Sequence, residues 1–220
     1  MFSGIIKHTG IIVKGLYGKR DGYISVESNG IPELTYVGGS VAVNGVCLTV
    51  VEKTGNSLSF FVSYETSERT TLSQLEEGTI VNLELPATPS TFLDGHIVLG
   101  HIDTVGKVTT IEKVERSYKL TVSIPRHFIR YIVYKGSVAI DGISLTVYEL
   151  DDDNSTFSIA VIPSTYEMTN IKQLRVGNPV NVEFDVIGKY VERFFLLGRN
   201  PLTDGSKNSL LDKLKKFMDY

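Results

Sequence analysis

The chain repeats itself. Residues Gly39 to Val50 read GSVAVNGVCLTV and residues Gly136 to Val147 read GSVAIDGISLTV, with eight of the twelve paired positions identical and no gap. The four differences are Val43/Ile140, Asn44/Asp141, Val46/Ile143 and Cys47/Ser144. The correspondence extends outward. Gly4-Ile5-Ile6 and Gly10 align with Gly100-His101-Ile102 and Gly106. Thr66, Thr70, Gln74, Leu75 and Gly78 align with Thr165, Thr169, Gln173, Leu174 and Gly177. The offset drifts from 96 to 99 along the chain, as small loop insertions produce. A period near a hundred residues is that of a domain and too long for a solenoid. The 220 residues are therefore expected to hold two copies of one fold, 1–88 and 89–187, joined at Pro86-Ala87-Thr88-Pro89-Ser90, then a segment 188–220. Two copies of a fold imply two copies of a binding site, and unequal tasks are expected where the copies differ.

The local patterns are those of strands. Ser40 to Val51 and Ser137 to Val147 are rich in Val and carry a central Asn44-Gly45 or Asp141-Gly142, strong tight-turn dipeptides. Ser57 to Val62, Thr156 to Val161, Ile80 to Leu85 and Val180 to Phe184 alternate apolar with polar residues. Each copy thus predicts about six short strands, the content of a small closed barrel, and closure removes unpaired sheet edges. Helix is expected only in short pieces such as Thr71 to Leu75 and Ile171 to Leu174. The end of the chain differs. Ser209 to Tyr220 places Leu210, Leu211, Leu214, Phe217 and Met218 on one helical face, and Val191 to Leu197 is a second apolar helical stretch. Such a helix either packs on its own domain or joins chains, since alone it is marginal.

Composition excludes several classes. A net charge of −3 offers no basic face for nucleic acid, and no Lys/Arg cluster adjoins an apolar surface to suggest a membrane. The single Cys forbids an internal disulfide and suits a reducing compartment. Lys7 interrupts the short apolar run at the N-terminus, so a secretory signal is not expected, and the chain is read as soluble and cytoplasmic. No metal-ligand spacing occurs.

Six segments in register resemble riboflavin synthase. They are Met1-Phe2-Ser3-Gly4-Ile5-Ile6, Asn44 to Val50, Gly95-His96-Ile97-Val98-Leu99-Gly100-His101-Ile102-Asp103, Tyr134-Lys135-Gly136, Asp141 to Val147, and Asn181 to Asp185 through Lys189-Tyr190. The resemblance implies an all-β fold of two homologous six-stranded Greek-key β-barrels in tandem plus a C-terminal α-helix. It implies dismutation of two molecules of 6,7-dimethyl-8-ribityllumazine, one giving a four-carbon unit to the other. It implies no metal or external cofactor, a homotrimer with active sites between subunits, and lumazine synthase as a candidate partner.

The same resemblance assigns residues. His101 stands where the first copy has Ile5 and is the expected base or proton relay, since histidine titrates near neutrality. Cys47 and Ser144, the polar exchange inside the repeated motif, are expected to separate the donor pocket from the acceptor pocket, although a lone Cys is more often a small buried hydrophobe. Phe2 is expected to pack near the substrate as the N-terminus folds over the site, with Ser3 beside it, and Asp185 to bring a carboxylate. Substrate contacts are expected from Gly4, Ile5 and Ile6, from Gly100 and Ile102, from Ser40 and Lys135, and from Leu48, Thr49, Leu145 and Thr146. Two matched segments are read as ligand-lining strands: Phe61-Val62-Ser63-Tyr64-Glu65-Thr66 and Ala160-Val161-Ile162-Pro163-Ser164-Thr165. Thr66 and Thr165 are the favoured side chains, His96 is assigned a structural part, and His8 and His127 the surface. Three rivals are weighed: a non-catalytic lumazine- or flavin-binding fluorescent relative, an oligonucleotide-binding barrel, and a flavin reductase, which lacks its glycine-rich dinucleotide fingerprint here.

Overall fold

Alternation along each strand decides the architecture, because it gives every strand one face that must leave water. The structure is a computed structural model, and it describes residues 1–16 and 21–198. Six strands form the first barrel: β1 (His8–Lys14), β2 (Gly22–Glu27), β3 (Ser40–Val43), β4 (Val46–Thr54), β5 (Ser57–Val62) and β6 (Ile80–Glu84). Six more form the second: β7 (Thr104–Val114), β8 (Ser117–Ser123), β9 (Ser137–Ile140), β10 (Ile143–Asp151), β11 (Thr156–Val161) and β12 (Pro179–Phe184). Both sheets close, in the orders β1-β2-β5-β4-β3-β6 and β10-β11-β8-β7-β12-β9, and the second is the first with each label advanced by six. Strand β6 lies beside β3 at the end of the β3-β4-β5 meander, which is the Greek-key order. The inward residues fill each barrel. Ile12, Ile24, Val26, Val41, Leu58 and Phe60 do so in the first, and Val108, Leu120, Val122, Val138, Phe157 and Ile159 in the second.

The turn dipeptides behave as read and also do more. Val43 pairs with Val46 and Ile140 with Ile143, so Asn44-Gly45 and Asp141-Gly142 are two-residue hairpin turns, all four residues at positive φ. The two turns also meet each other. A Cβ on Gly45 would stand 2.6 Å from the Gly142 nitrogen, and one on Gly142 2.8 Å from the Gly45 Cα. A buried amide network surrounds them. The Asn82 side chain donates to the Asp141 carbonyl (3.0 Å) and to Asn170 Oδ1 (2.9 Å), while that of Asn181 donates to the Asn44 carbonyl (2.9 Å) and its Oδ1 accepts from the Thr71 N–H (2.8 Å). These reciprocal contacts relate the barrels by an approximate twofold.

Short helices join the strands: α1 (Ile31–Leu34), α2 (Tyr64–Arg69) and α3 (Pro163–Met168), with single 3₁₀ turns at Thr71–Gln74, Arg126–Tyr131 and Asn170–Gln173. The segments 61–66 and 160–165, read as strands, are strand only to Val62 and Val161 and helix thereafter. The cause is local: Ser63 Oγ accepts from the Thr66 N–H (3.3 Å) as an N-cap, and Pro163 opens α3 where its missing N–H costs nothing. Helix α4 (Val186–Gly198) covers the apolar stretch 191–197 and starts two residues before the expected boundary at 188. It belongs to a separate compact unit from Met1–Asp185. The helix expected over 209–220 lies outside the described residues. Among those described, no helix is long and apolar enough to cross a membrane.

Candidate functional site

Two short leaders, one before each barrel, build the site. Each is held by a buried glutamate of the last strand. Glu84 accepts from the Ser3 N–H (2.8 Å), the Ser3 hydroxyl (2.8 Å) and the Gly4 N–H (3.1 Å). Glu183 accepts from the N–H groups of Leu99 (2.7 Å), Gly100 (2.9 Å) and His101 (3.1 Å). Burial holds the Glu84 carboxyl above the ordinary glutamate value, and the hydrogen bonds from Ser3 and Gly4 oppose that rise. The leaders are also tied together, as Phe2 and Val98 exchange backbone hydrogen bonds of 2.7 and 3.1 Å.

Each leader then crosses to the other barrel. The Gly4 carbonyl accepts from Ser144 N–H (2.8 Å), and the Gly100 carbonyl accepts from Cys47 N–H (3.0 Å). Both glycines are at positive φ, and a Cβ would fall 2.6 Å from Ser144 Cβ or 2.5 Å from Cys47 Cβ. Ile6 packs in the core of the second barrel, and Ile102 packs against the core of the first.

Around Ser144 this crossing encloses a cleft of about 300 Å³, lined by the leader from Gly4 to Lys7, by Ile143 and Ser144 of β10, and by Ser164, Thr165, Met168 and Thr169. His96 Nδ1 and Ser144 Oγ share a 2.7 Å hydrogen bond. The other ring nitrogen, Nε2, is buried with no hydrogen-bond partner among the described residues. Burial pulls the His96 pKa below its usual value, opposed by the nearby charge of Asp185. A neutral imidazole bonded to a hydroxyl is a proton acceptor in place, so this pair can take a proton from a weak acid in the cleft. In the first barrel Cys47 is half-buried against Gly100, and an exposed Glu65–Arg69 pair (3.2 Å) stands where the second barrel has Ser164 and Met168.

The expected site residues divide by the face they occupy. Cys47 and Thr49, and likewise Ser144 and Thr146, point out of their barrels, as do Phe61 and Ala160, and Cys47 and Ser144 meet the leaders. Thr66 and Thr165 are half-buried, and Thr66 Oγ1 lies 2.9 Å from Ser63 Oγ. Tyr64, Ile162 and Pro163 are exposed at the strand-to-helix corners. The other expected residues sit in different settings. Leu48, Leu145, Val62 and Val161 are buried in the barrel cores, because alternation sends neighbours of Cys47, Ser144, Phe61 and Ala160 inward, so only their backbones can meet a ligand. Phe2 is fully buried with Val98, Ala42 and Ala139 and bears no titratable atom, and its backbone ties one leader to the other. His101 is exposed, and it is its backbone N–H that is engaged, by Glu183. His96, read as structural, is the histidine in contact with Ser144. His8 is half-buried and His127 exposed. Ser40 pairs with Thr49 across the β3–β4 ladder, and Asp185 directly follows β12. Lys135 is exposed at φ +62, a left-handed conformation that Gly38 fills in the first copy at φ +93. In both copies the N–H of that residue donates 2.8 Å to a strand carbonyl, Val147 or Val50. Glu84 and Glu183 hold matched places in the repeat, and nothing else in the order of residues marks them.

Known proteins share this duplicated fold. The lumazine binding domain family matches twice, over residues 3–86 and 99–185. Riboflavin synthase from Actinobacillus pleuropneumoniae is 37% identical over 98% of this chain and 99% of its own length. That from Bacillus subtilis is 36% identical over 88% of this chain and 89% of its own. Among solved structures, LumP complexed with riboflavin superposes with a TM-score of 0.78 at 30% identity, covering 84% of this chain and 99% of LumP. LumP complexed with 6,7-dimethyl-8-(1'-D-ribityl) lumazine gives 0.76 at 29%, with the same coverage.

Proposed function

Because the chain belongs to the riboflavin synthases, transferases built on a duplicated lumazine-binding domain, we propose that it converts two molecules of 6,7-dimethyl-8-ribityllumazine into riboflavin and 5-amino-6-ribitylamino-uracil. One molecule passes a four-carbon unit to the other, so the atoms of the two substrates are those of the two products and no external oxidant is required. The observation that carries this reading is the pair of leader-lined faces, alike in backbone and unlike at Cys47 and Ser144. Two like reactants in opposed roles call for such an arrangement. Holding both in place makes the encounter effectively unimolecular, which is worth roughly 7–11 kcal/mol of barrier.

The residues take roles by position. Neutral His96 draws the Ser144 hydroxyl proton through Nδ1, and Ser144 Oγ removes a proton from the acidic ring methyl of the lumazine in the second barrel. Cys47 faces the partner lumazine in the first barrel, with Thr49 and Thr146 serving ribityl hydroxyls and Lys135 and Asp185 at the rim. His101, exposed on its leader, relays protons to solvent. The working form is a cytoplasmic homotrimer with active sites between subunits. The apolar row Ile187, Tyr190, Phe194 and Leu197 along α4 supports association of chains through this helix.

The nearest rival is a binding protein that keeps its chromophore, as the LumP structures hold lumazine and riboflavin. Alignment with a riboflavin synthase over 98% of the chain, against 84% for LumP, favours the enzyme. Mixing the protein with the lumazine decides it. Riboflavin should accumulate over many turnovers, one for every two lumazines consumed. A stoichiometric fluorescent complex that never turns over would leave the binding protein.

A further inference from the structure

Glu84 does not line the cleft around Ser144, and its carboxylate accepts hydrogen bonds from the leader that does. That leader ends in the Gly4 carbonyl on Ser144 and in Ile6, packed in the second barrel. Glu183 stands in the same relation to the Cys47 face, through the Gly100 carbonyl and Ile102. We propose that Glu84 and Glu183 are positioning residues wired crosswise: Glu84 of the first barrel sets the ligand pocket of the second, and Glu183 of the second sets that of the first. The inference rests on the reading of both faces as lumazine pockets.

The physical case is the demand of the leaders for acceptors. A short extended leader has N–H groups with no strand beside them, and when buried each needs a partner. One carboxylate offers two oxygens and about four lone pairs, enough for the three donors that each leader presents. These are charge-assisted bonds, roughly twice as strong as neutral ones. With the amides fixed on one side, the glycine carbonyl on the other side is aimed at Ser144 or Cys47. A glutamine in place of Glu84 keeps the shape but turns one acceptor into a donor facing an N–H. The leader must shift, and the pocket that feels it is not in the barrel that was changed.

Thiol protection reads the pockets one at a time. In the parent chain, alkylation of Cys47 slowed by 6,7-dimethyl-8-ribityllumazine reports the first-barrel pocket. In a Cys47→Ser, Ser144→Cys background the thiol reports the second. Glu84→Gln should raise the lumazine concentration that protects position 144 by about tenfold, one weakened charge-assisted hydrogen bond, and leave protection of Cys47 within about twofold. Glu183→Gln should do the reverse. Without ligand, Glu84→Gln should speed amide hydrogen exchange at Ser3 and Gly4 and leave residues 99–101 unchanged. Equal weakening of both pockets, or greater weakening in the substituted barrel, overturns the proposal, as does unchanged exchange at Ser3 and Gly4. Lumazine that protects neither thiol in the unsubstituted glutamate background removes the ligand reading and this inference with it. Expected exchange in that case would still place the failure in the ligand reading. If one glutamine variant does not fold, the reciprocal variant carries the same test.

Discussion

One hydrogen bond to a histidine distinguishes Ser144 from its counterpart Cys47. Both residues donate their N–H to a glycine carbonyl, but Ser144 also has His96 at 2.7 Å, whereas Cys47 has no histidine among the described hydrogen bonds of its side chain. The proposed proton acceptor must be neutral to work. Burial lowers the His96 pKa from 6.5, so the acid limb of kcat/KM should fall below the usual histidine range, activity being lost as pH drops through it. His96→Ala should cost roughly 10²–10⁴-fold in kcat and remove that limb, and a pH–rate profile of parent and variant checks both. A second residue works against its backbone. Lys135 at φ +62 pays for a left-handed conformation that glycine adopts freely. Lys135→Gly should therefore hold or raise the melting temperature while weakening lumazine binding. A fall in melting temperature with unchanged binding would show that the lysine serves the fold. His96 was not legible as a partner of Ser144, because 48 residues separate them and only folding sets ring against hydroxyl.

At the scale of elements, the hairpin turns and the leaders carry most of the information. Asn44-Gly45 and Asp141-Gly142 were legible as tight turns from their chemistry alone. Their contact with each other was not, since a turn dipeptide says nothing about what packs on it. Gly45→Ala places a methyl 2.6 Å from the Gly142 nitrogen, and this overpacking should lower stability by about 1–3 kcal/mol. Chemical denaturation of the variant measures it, and a change under about 0.5 kcal/mol would mean the seam can open without loss. The strand-to-helix corners at Ser63 and Ile162 were misread because an apolar run fits a strand and the start of a helix equally well. A serine cap and a proline at the first helical position settled the matter. Glu84 and Glu183 read as ordinary polar positions at the ends of strands, since their donors lie 80 to 84 residues away.

At the scale of the whole molecule, the part of the seam around the two hairpin turns is polar, and one member of it is ionisable. Asp141 is fully buried, and its two oxygens accept from the Asn181 N–H and the Asn170 side chain, both 2.8 Å. Burial outweighs those bonds and lifts its pKa from 3.8 to about 6. The folded state therefore binds a proton that the unfolded state releases between those values. This group's contribution makes folding less favourable as pH rises from about 4 to about 6, and the penalty is fully present above. The shift corresponds to about 3 kcal/mol, and Asn44 at the matched position escapes it. The difference in unfolding free energy between parent and Asp141→Asn should vary with pH over that window. Melting curves from pH 4 to 8 test it, and a constant difference would show that Asp141 does not titrate in the seam.

The residues in order were enough to establish the duplication, the barrels and their turns, and the Cys47/Ser144 exchange, because those are matters of local pattern and of likeness between two halves of one chain. They could not establish that each leader serves the opposite barrel, that the turns clasp, or that His96 rather than His101 meets Ser144. Those depend on which distant groups become neighbours when buried N–H groups and carboxylates must find partners, and folding alone brings them together.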